Sequence, residues 1–171
     1  MEDLKKWIDI YPDFPSKGIL FRDISPLLAE PEALRILKNR FVEVISPLSP
    51  DFIAGIDARG FLFCTMIAEQ LGLGALMIRK PGKLPGELME KSYELEYGSN
   101  SLSIQKRDLK GKSVVIIDDL LATGGSMQCA KELLESLDAN VVGAAVVIEL
   151  KSLNGSSILD MPIFNLVSYE D

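Results

Sequence analysis

Two adjacent carboxylates, Asp118 and Asp119, stand directly after an apolar run at 114–117 and shortly before a turn of small and hydroxylated residues, Ala122, Thr123, Gly124, Gly125 and Ser126. A helical pattern follows at 127–137, so the predicted order is strand, acidic pair at the strand end, small-residue turn, helix. A Gly-rich turn at a helix start aims several backbone N–H groups and the positive end of the helix dipole at one spot, which suits an anion. Thr123 and Ser126 add hydroxyl donors, and Gly124 and Gly125 let an oxygen-rich group approach the backbone closely. A monophosphate fits such a turn. The carboxylates would repel a phosphate bound to them, so their partners are neutral hydroxyls of the same ligand or a cation that accompanies it. Together these groups describe a site for a ribose 5-phosphate. The plainer alternative is an ordinary polar turn, since Gly and Thr are common at such junctions. Two like charges at one strand end without a ligand would repel, which favours a site. Neither the GxxxxGK[ST] spacing of a P-loop nor a GxGxxG dinucleotide fingerprint occurs.

The run at 114–117 is apolar throughout, as in a strand buried on both faces of a parallel sheet. Similar runs at 52–56, 75–78, 141–148 and 163–167 predict further strands, with a helix at 61–70 between the first two. Pro31 opens another helix, whose Leu34, Leu37, Phe41, Val44 and Ile45 form an apolar stripe. Leu4, Trp7 and Ile8 at helical spacing predict a first helix that ends before Pro12, followed by loop chemistry in YPDFPSKG and a short extended segment at 19–24. Strands alternating with helices predict an α/β fold, an open and mainly parallel sheet with helices on both faces, in one domain over 1–171.

Three further stretches carry chemistry-bearing residues. DARG at 57–60 repeats the layout of strand, acid, small turn and helix; from these residues alone Arg59 is as readily a surface arginine as a ligand. Between Glu69 and Glu87 the only charged residues are Arg79, Lys80 and Lys83, a basic spot in a Pro- and Gly-rich connection long enough to act as a lid over 80–98. A solvated charge run is the alternative. YELEYG at 93–98 alternates polar and apolar residues and can pair antiparallel with 102–105, placing Glu94 and Glu96 on one face that is either a solvated edge or functional.

A length of 171 residues suits one domain that buries about two thirds of its unfolded surface. Hydrophobic residues at 47% and charged residues at 25% are ordinary globular usage, no apolar run reaches the ~20 residues of a membrane span, and MEDLKKW is no secretory leader. A cytoplasmic location is expected. Cys64 and Cys129 have no metal-ligand spacing and are expected to be reduced, small hydrophobes. A net charge of −7 and the absence of His exclude imidazole catalysis and argue against a broad nucleic-acid surface.

The stretch VVIIDDLLATGGS resembles the phosphoribosyl diphosphate-binding loop of the type I phosphoribosyltransferases, and Ala122-Thr123 resembles its adenine-specific branch. FRDISPLL, DARGFLF, IRKPGKLPG and YELEYG extend the resemblance along the chain. It implies transfer of phosphoribosyl from 5-phosphoribosyl 1-diphosphate to adenine, giving AMP and pyrophosphate in purine salvage, with Mg2+ carried by the substrate diphosphate and no dedicated protein metal site. It further implies a hood within 1–30 in which Leu20, Phe21 and Arg22 meet adenine, although burial in the core is the simpler fate of Leu20 and Phe21 taken alone. Asp118 and Asp119 would hold the ribose hydroxyls, Ala122, Thr123, Gly124, Gly125 and Ser126 the 5-phosphate, and Arg59, Lys80 and Lys83 the diphosphate. Glu96 would be the catalytic acid/base, and a homodimer would place the lid or the Arg22 segment near the partner subunit. Two alternatives stay open: a related enzyme acting on 6-oxopurines or orotate, and a ligand-sensing regulator on the same fold, for which no helix-turn-helix or basic stripe is present.

Overall fold

The computed structural model describes residues 4–95 and 98–170. The chain opens with a single 3-10 turn, Leu4–Trp7, rather than a helix running toward Pro12. Residues beyond it form strand β1 (Asp9–Pro12), which pairs antiparallel with β2 (Leu20–Asp23) in the register Tyr11↔Phe21. One turn of helix is too short to sustain itself, and the residue before a proline is biased to extended backbone, so pairing with β2 wins over the helical spacing. The turn between the strands is tied by Gly18 N–H donating to Asp13 Oδ1 at 2.7 Å.

Asp23 then accepts from the backbone and hydroxyl of Ser25 at 2.9 and 2.6 Å, starting the short helix α1 (Ser25–Ala29). These bonds hold the Asp23 carboxyl below its usual range. Helix α2 (Pro31–Ile45) begins at its proline as predicted and buries Ala33, Leu37, Phe41 and Ile45, a strict four-residue spacing. Leu34 and Val44 flank that stripe half-buried. The central frame follows as β3 (Phe52–Ile56), α3 (Gly60–Leu71) and β4 (Gly74–Ile78), then the hairpin β5 (Leu88–Leu95) and β6 (Gly98–Gln105). After it come β7 (Ser113–Leu121), α4 (Gly125–Glu135), β8 (Asn140–Leu150), 3-10 turns at Lys151–Leu153 and Gly155–Ile158, and β9 (Ile163–Tyr169).

The main sheet is parallel, in the order β4-β3-β7-β8-β9. Alternate residues of its strands enter two cores. Ile53, Val115, Ile117, Ala145 and Val147 pack under α2 and α3, while Ala54, Val114, Ile116, Ala144 and Val146 pack under α4 and the hairpin. Helices therefore cover both faces, with the β5–β6 hairpin sharing the second. Among the described residues no helix is long and apolar enough to cross a membrane.

Boundaries around the crevice also differ from those predicted. The lid expected over 80–98 lacks regular structure only before β5, because Leu88 pairs with Gln105 and the ladder continues outward to Leu95↔Gly98. Buried Leu102 and Ile104 seat the hairpin on the sheet, and Lys91 Nζ lies 2.5 Å from Glu132 of α4. Strand β7 does not stop at the acidic pair. Its pairing with β3 ends at Ile117, but its pairing with the longer β8 continues through Asp118↔Val146 to Leu121↔Glu149.

Candidate functional site

The crossover after β3 runs through α3 on one face of the sheet, and that after β7 through α4 on the other. Neighbouring strands whose connections diverge leave a crevice beyond their carboxyl ends, the preferred ligand position in open α/β sheets. A cavity of about 470 Å³ occupies that crevice, lined by Arg59, Lys80, Asp118, Asp119, Thr123 and Ser126 among others. Because β3 stops short of β7, the acidic pair is supported by β8 on one side and open to the cavity on the other.

Close packing brings the DARG loop there. An added Cβ on Gly60 would lie 2.7 Å from the Ile117 carbonyl oxygen and 3.1 Å from Asp118 Oδ1, and one on Gly55 would lie 2.7 Å from Cys64 Cβ. Two glycines thus let α3 sit against β3 and β7. Arg59 Nη1 then reaches Asp119 Oδ2 at 3.0 Å, with the arginine side chain 41% exposed to the cavity. Asp57 Oδ2 pairs with Arg79 Nε at 3.2 Å and accepts from Lys80 N–H at 3.3 Å, tying the start of the lid connection to the same loop. Lys80 is held over the cavity in this way. Lys83 is not brought to it: the side chain is exposed, and its backbone carbonyl accepts from Arg79 Nη1 at 3.2 Å.

The acidic pair is electrostatically loaded. Asp118 is 9% and Asp119 6% exposed. Burial first, and then the charge of Asp119, push the Asp118 carboxyl well above the usual carboxylate range. Burial also raises Asp119, against the opposing pull of Arg59. One cation serves two carboxylates, so the ligand-free pair favours holding a proton and gains from any hydroxyl donors or cation that a ligand brings.

Helix α4 starts at Gly125, two residues earlier than its periodicity suggested, so Ser126 lies in the first turn. Gly124 caps it at φ +86°, a conformation that L side chains rarely adopt. The side on which its Cβ would stand faces protein rather than the cavity, 2.6 Å from the Gly155 carbonyl oxygen. The small residue is therefore required by the segment after β8, and the helix-start N–H groups stay available to an anion.

Tyr93 and Asn100 of the hairpin complete the lining, and neither was among the predicted site residues. The signal in the sequence was only that Tyr93 opens the YELEYG stretch. Glu96, assigned the acid/base role by resemblance, lies outside the described residues.

A second cavity, about 450 Å³, adjoins the first and shares Arg59, Leu120 and Ala122 with it. Leu20, Phe21 and Arg22 of the hood line it opposite Leu150, Ser152 and Leu153. The Arg59 guanidinium is 5.7 Å from the Phe21 ring centre. Arg22 is buried, with its guanidinium 4.3 Å from the ring centre of Tyr169, so it is engaged within its own chain. A charged basin and an apolar slot therefore meet at one arginine. Such a pair of spaces suits a ligand with a phosphorylated, hydroxylated end and a flat apolar end.

The phosphoribosyl transferase domain family matches residues 25–160. The adenine phosphoribosyltransferase of Rhodospirillum rubrum is 50% identical over 169 residues, covering 98% of this chain and 99% of that protein. The Homo sapiens adenine phosphoribosyltransferase is 48% identical, with 94% of this chain and 92% of that one covered. Among solved structures, the Saccharomyces cerevisiae adenine phosphoribosyltransferase superposes with a TM-score of 0.91 at 43% identity, over 95% of this chain and 96% of that one. That structure holds adenine together with an imino-altritol bisphosphate.

Proposed function

We infer from its membership of the phosphoribosyl transferase domain family, in the branch of the adenine phosphoribosyltransferases, that this chain transfers phosphoribosyl from 5-phosphoribosyl 1-diphosphate to adenine, releasing AMP and pyrophosphate. The observation that carries the assignment of sites is the junction of the two cavities at Arg59, Leu120 and Ala122. Adenine in the hood slot and the sugar in the charged basin meet there with the anomeric carbon between them. The relative from yeast, with adenine and a bisphosphate bound together, supports that arrangement.

In this reading the turn at 122–126 holds the 5-phosphate on the helix-start N–H groups, and Asp118 and Asp119 accept from the ribose hydroxyls. A base nitrogen bonds to the anomeric carbon as the bond to the diphosphate oxygen breaks. The sugar develops oxocarbenium character, and buried carboxylates beside it lower the energy of that charge. Arg59 and Lys80 take up the negative charge of the departing diphosphate, with Lys83 assigned the same role from the lid. The proton that adenine loses at the new bond passes to Glu96, the carboxylate assigned by resemblance.

Magnesium fits the oxygen-rich character of the basin. Asp118 and Asp119 would be the protein carboxylates available to such an ion, with phosphate oxygens of the substrate and water completing its shell. When bound, the ion neutralises charge on the leaving diphosphate. The exposed apolar side chains of the hood, Ile10, Tyr11, Phe14 and Ile19, each about half accessible, support a homodimer that covers them.

Purified protein supplied with magnesium and phosphoribosyl diphosphate is expected to convert adenine in preference to hypoxanthine, guanine and orotate, read by chromatography of the nucleotides. Turnover with hypoxanthine or orotate alone overturns the base assignment.

A further inference from the structure

The segment that follows β8 holds none of the predicted site residues, yet it walls the hood slot and backs the turn that lines the charged basin. Ser152 and Leu153 face the hood slot. Two residues on, buried Gly155 lies against the turn assigned to the 5-phosphate: an added Cβ would stand on the Ala122 carbonyl oxygen and lie 2.8 Å from the Gly124 nitrogen and the Thr123 carbonyl carbon. Gly155 does not have positive φ, so backbone conformation does not require a glycine there and the close approach does. Gly124 meets it from the other side, its own missing Cβ lying 2.6 Å from the Gly155 carbonyl oxygen.

Both ends of this strap are fastened. At its start Glu149, 2% exposed, accepts from Asn165 Nδ2 at 2.5 Å and pairs with Lys151 Nζ at 2.6 Å. At its end Asp160 pairs at 3.0 Å with Lys131 of α4, the helix whose first turn belongs to the anion site. A buried carboxylate held by two donors is a firm anchor, because moving either donor away leaves a desolvated charge.

We propose that Gly155 is a positioning residue for the 5-phosphate turn: the anchored strap presses its backbone on residues 122–124 and sets where the N–H groups of the turn and of the α4 start point. The proposal rests on the assignment of the 5-phosphate to that turn. A methyl at Gly155 displaces the turn by way of backbone atoms, which cannot step aside as the tip of a flexible side chain can.

The test compares Gly155→Ala, Ser156→Ala and Glu149→Gln with the unaltered protein, using calorimetry with ribose 5-phosphate and separately with adenine, and steady-state rates. Gly155→Ala is expected to weaken ribose 5-phosphate at least tenfold and to raise KM for phosphoribosyl diphosphate similarly, with adenine affinity and kcat each within about threefold. Ser156→Ala should match the unaltered protein. Glu149→Gln, which adds no atom to the interface, should weaken ribose 5-phosphate a few-fold by loosening the anchor, and it decides the matter if Gly155→Ala does not fold. Equal losses of both ligands in folded Gly155→Ala, or unchanged ribose 5-phosphate affinity in the folded variants, overturn the proposal. Thr123→Val, which removes a hydroxyl that lines the basin and keeps the side chain's shape, separates the two levels. If it weakens ribose 5-phosphate while Gly155→Ala does not alter it, the positioning role alone is lost; if folded Thr123→Val also binds normally, the 5-phosphate assignment goes with it.

Discussion

Replacing Asp118 with Asn sets function against stability in a single side chain. The amide keeps the size of the carboxyl and an oxygen that accepts from Asp119 N–H, a bond of 2.9 Å in the structure. What disappears is one of two buried negative charges that share Arg59. Because burial and Asp119 raise the folded Asp118 carboxyl well above its ordinary value of 3.8, the folded chain holds this proton more tightly than the unfolded chain does. The associated stability is fully present below the unfolded value and is lost as pH climbs through the raised folded one. Once pH has risen far enough to ionise both carboxyls, the ligand-free pair is thus a cost. Removing one charge is expected to stabilise the ligand-free protein by about 1 kcal/mol after the cost of seating an amide, which is a rise of about 2–4 °C in Tm for a chain of this size. Catalysis moves the other way: loss of a charge-assisted hydrogen bond to a ribose hydroxyl, worth roughly 1.5–3 kcal/mol, lowers kcat/KM by about 10- to 100-fold. Thermal unfolding of the ligand-free proteins between pH 4 and 8, beside steady-state kinetics, reads both effects. The unaltered protein should lose stability faster than the variant as pH rises. A variant less stable at neutral pH, with the same pH slope and full activity, would refute both the electrostatic account and the role of Asp118.

Gly60→Ala should destabilise the fold by about 1–3 kcal/mol, since its methyl would meet the Ile117 carbonyl oxygen at 2.7 Å; a denaturation midpoint equal to that of the unaltered protein would contradict the close packing of α3 on β7. Arg59→Met removes the cation 3.0 Å from Asp119 and raises that carboxyl further, so kcat/KM for phosphoribosyl diphosphate should fall on the order of 100-fold and the acid limb of its pH profile should move to higher pH. An unmoved limb would separate Arg59 from the acidic pair. Glu96→Gln is expected to lower kcat about 10²–10⁴-fold with phosphoribosyl diphosphate affinity kept, while Glu94→Gln, on the same predicted face, has little effect; equal small losses would remove the proton-transfer role from Glu96.

Lys131 and Lys91 show how the elements around the phosphate turn are joined. Lys131, buried in α4, pairs with Glu135 at 2.8 Å as well as with Asp160. Lys91 of β5 pairs with Glu132 of the same helix, and Cys129 Sγ lies 3.4 Å from the Lys91 carbonyl oxygen. Helix α4 therefore bears the anion turn at one end and along its length is fastened to the hairpin and to the strap. Cys64, by contrast, takes no part in the site: burial pushes its thiol up to about 11, and its Sγ is 3.2 Å from the Ile53 carbonyl oxygen.

The sequence by itself determined the parts of this protein that depend on near neighbours in the chain. Continuous apolar runs specified the buried parallel strands, Pro31 specified the start of α2, and the acidic pair with its Gly-rich turn specified the chemistry of one strand end. Each rests on periodicity or on backbone preference, which act over a few residues. What only the tertiary structure decided depends on partners distant in sequence. Strand β7 runs past Asp119 because β8 is long enough to pair with it, and β1 exists because β2 offers hydrogen bonds that outweigh a helical turn. Arg59 reaches Asp119 because Gly60 admits α3 to within contact of Ile117, a requirement on which the wording DARG is silent. Gly124 faces Gly155, Tyr93 and Asn100 reach the cavity from a hairpin, and Lys83 is left outside it. None of these pairings has a local signature, because the energy that selects them is burial and hydrogen bonding between elements, evaluated only once the sheet has brought those elements together.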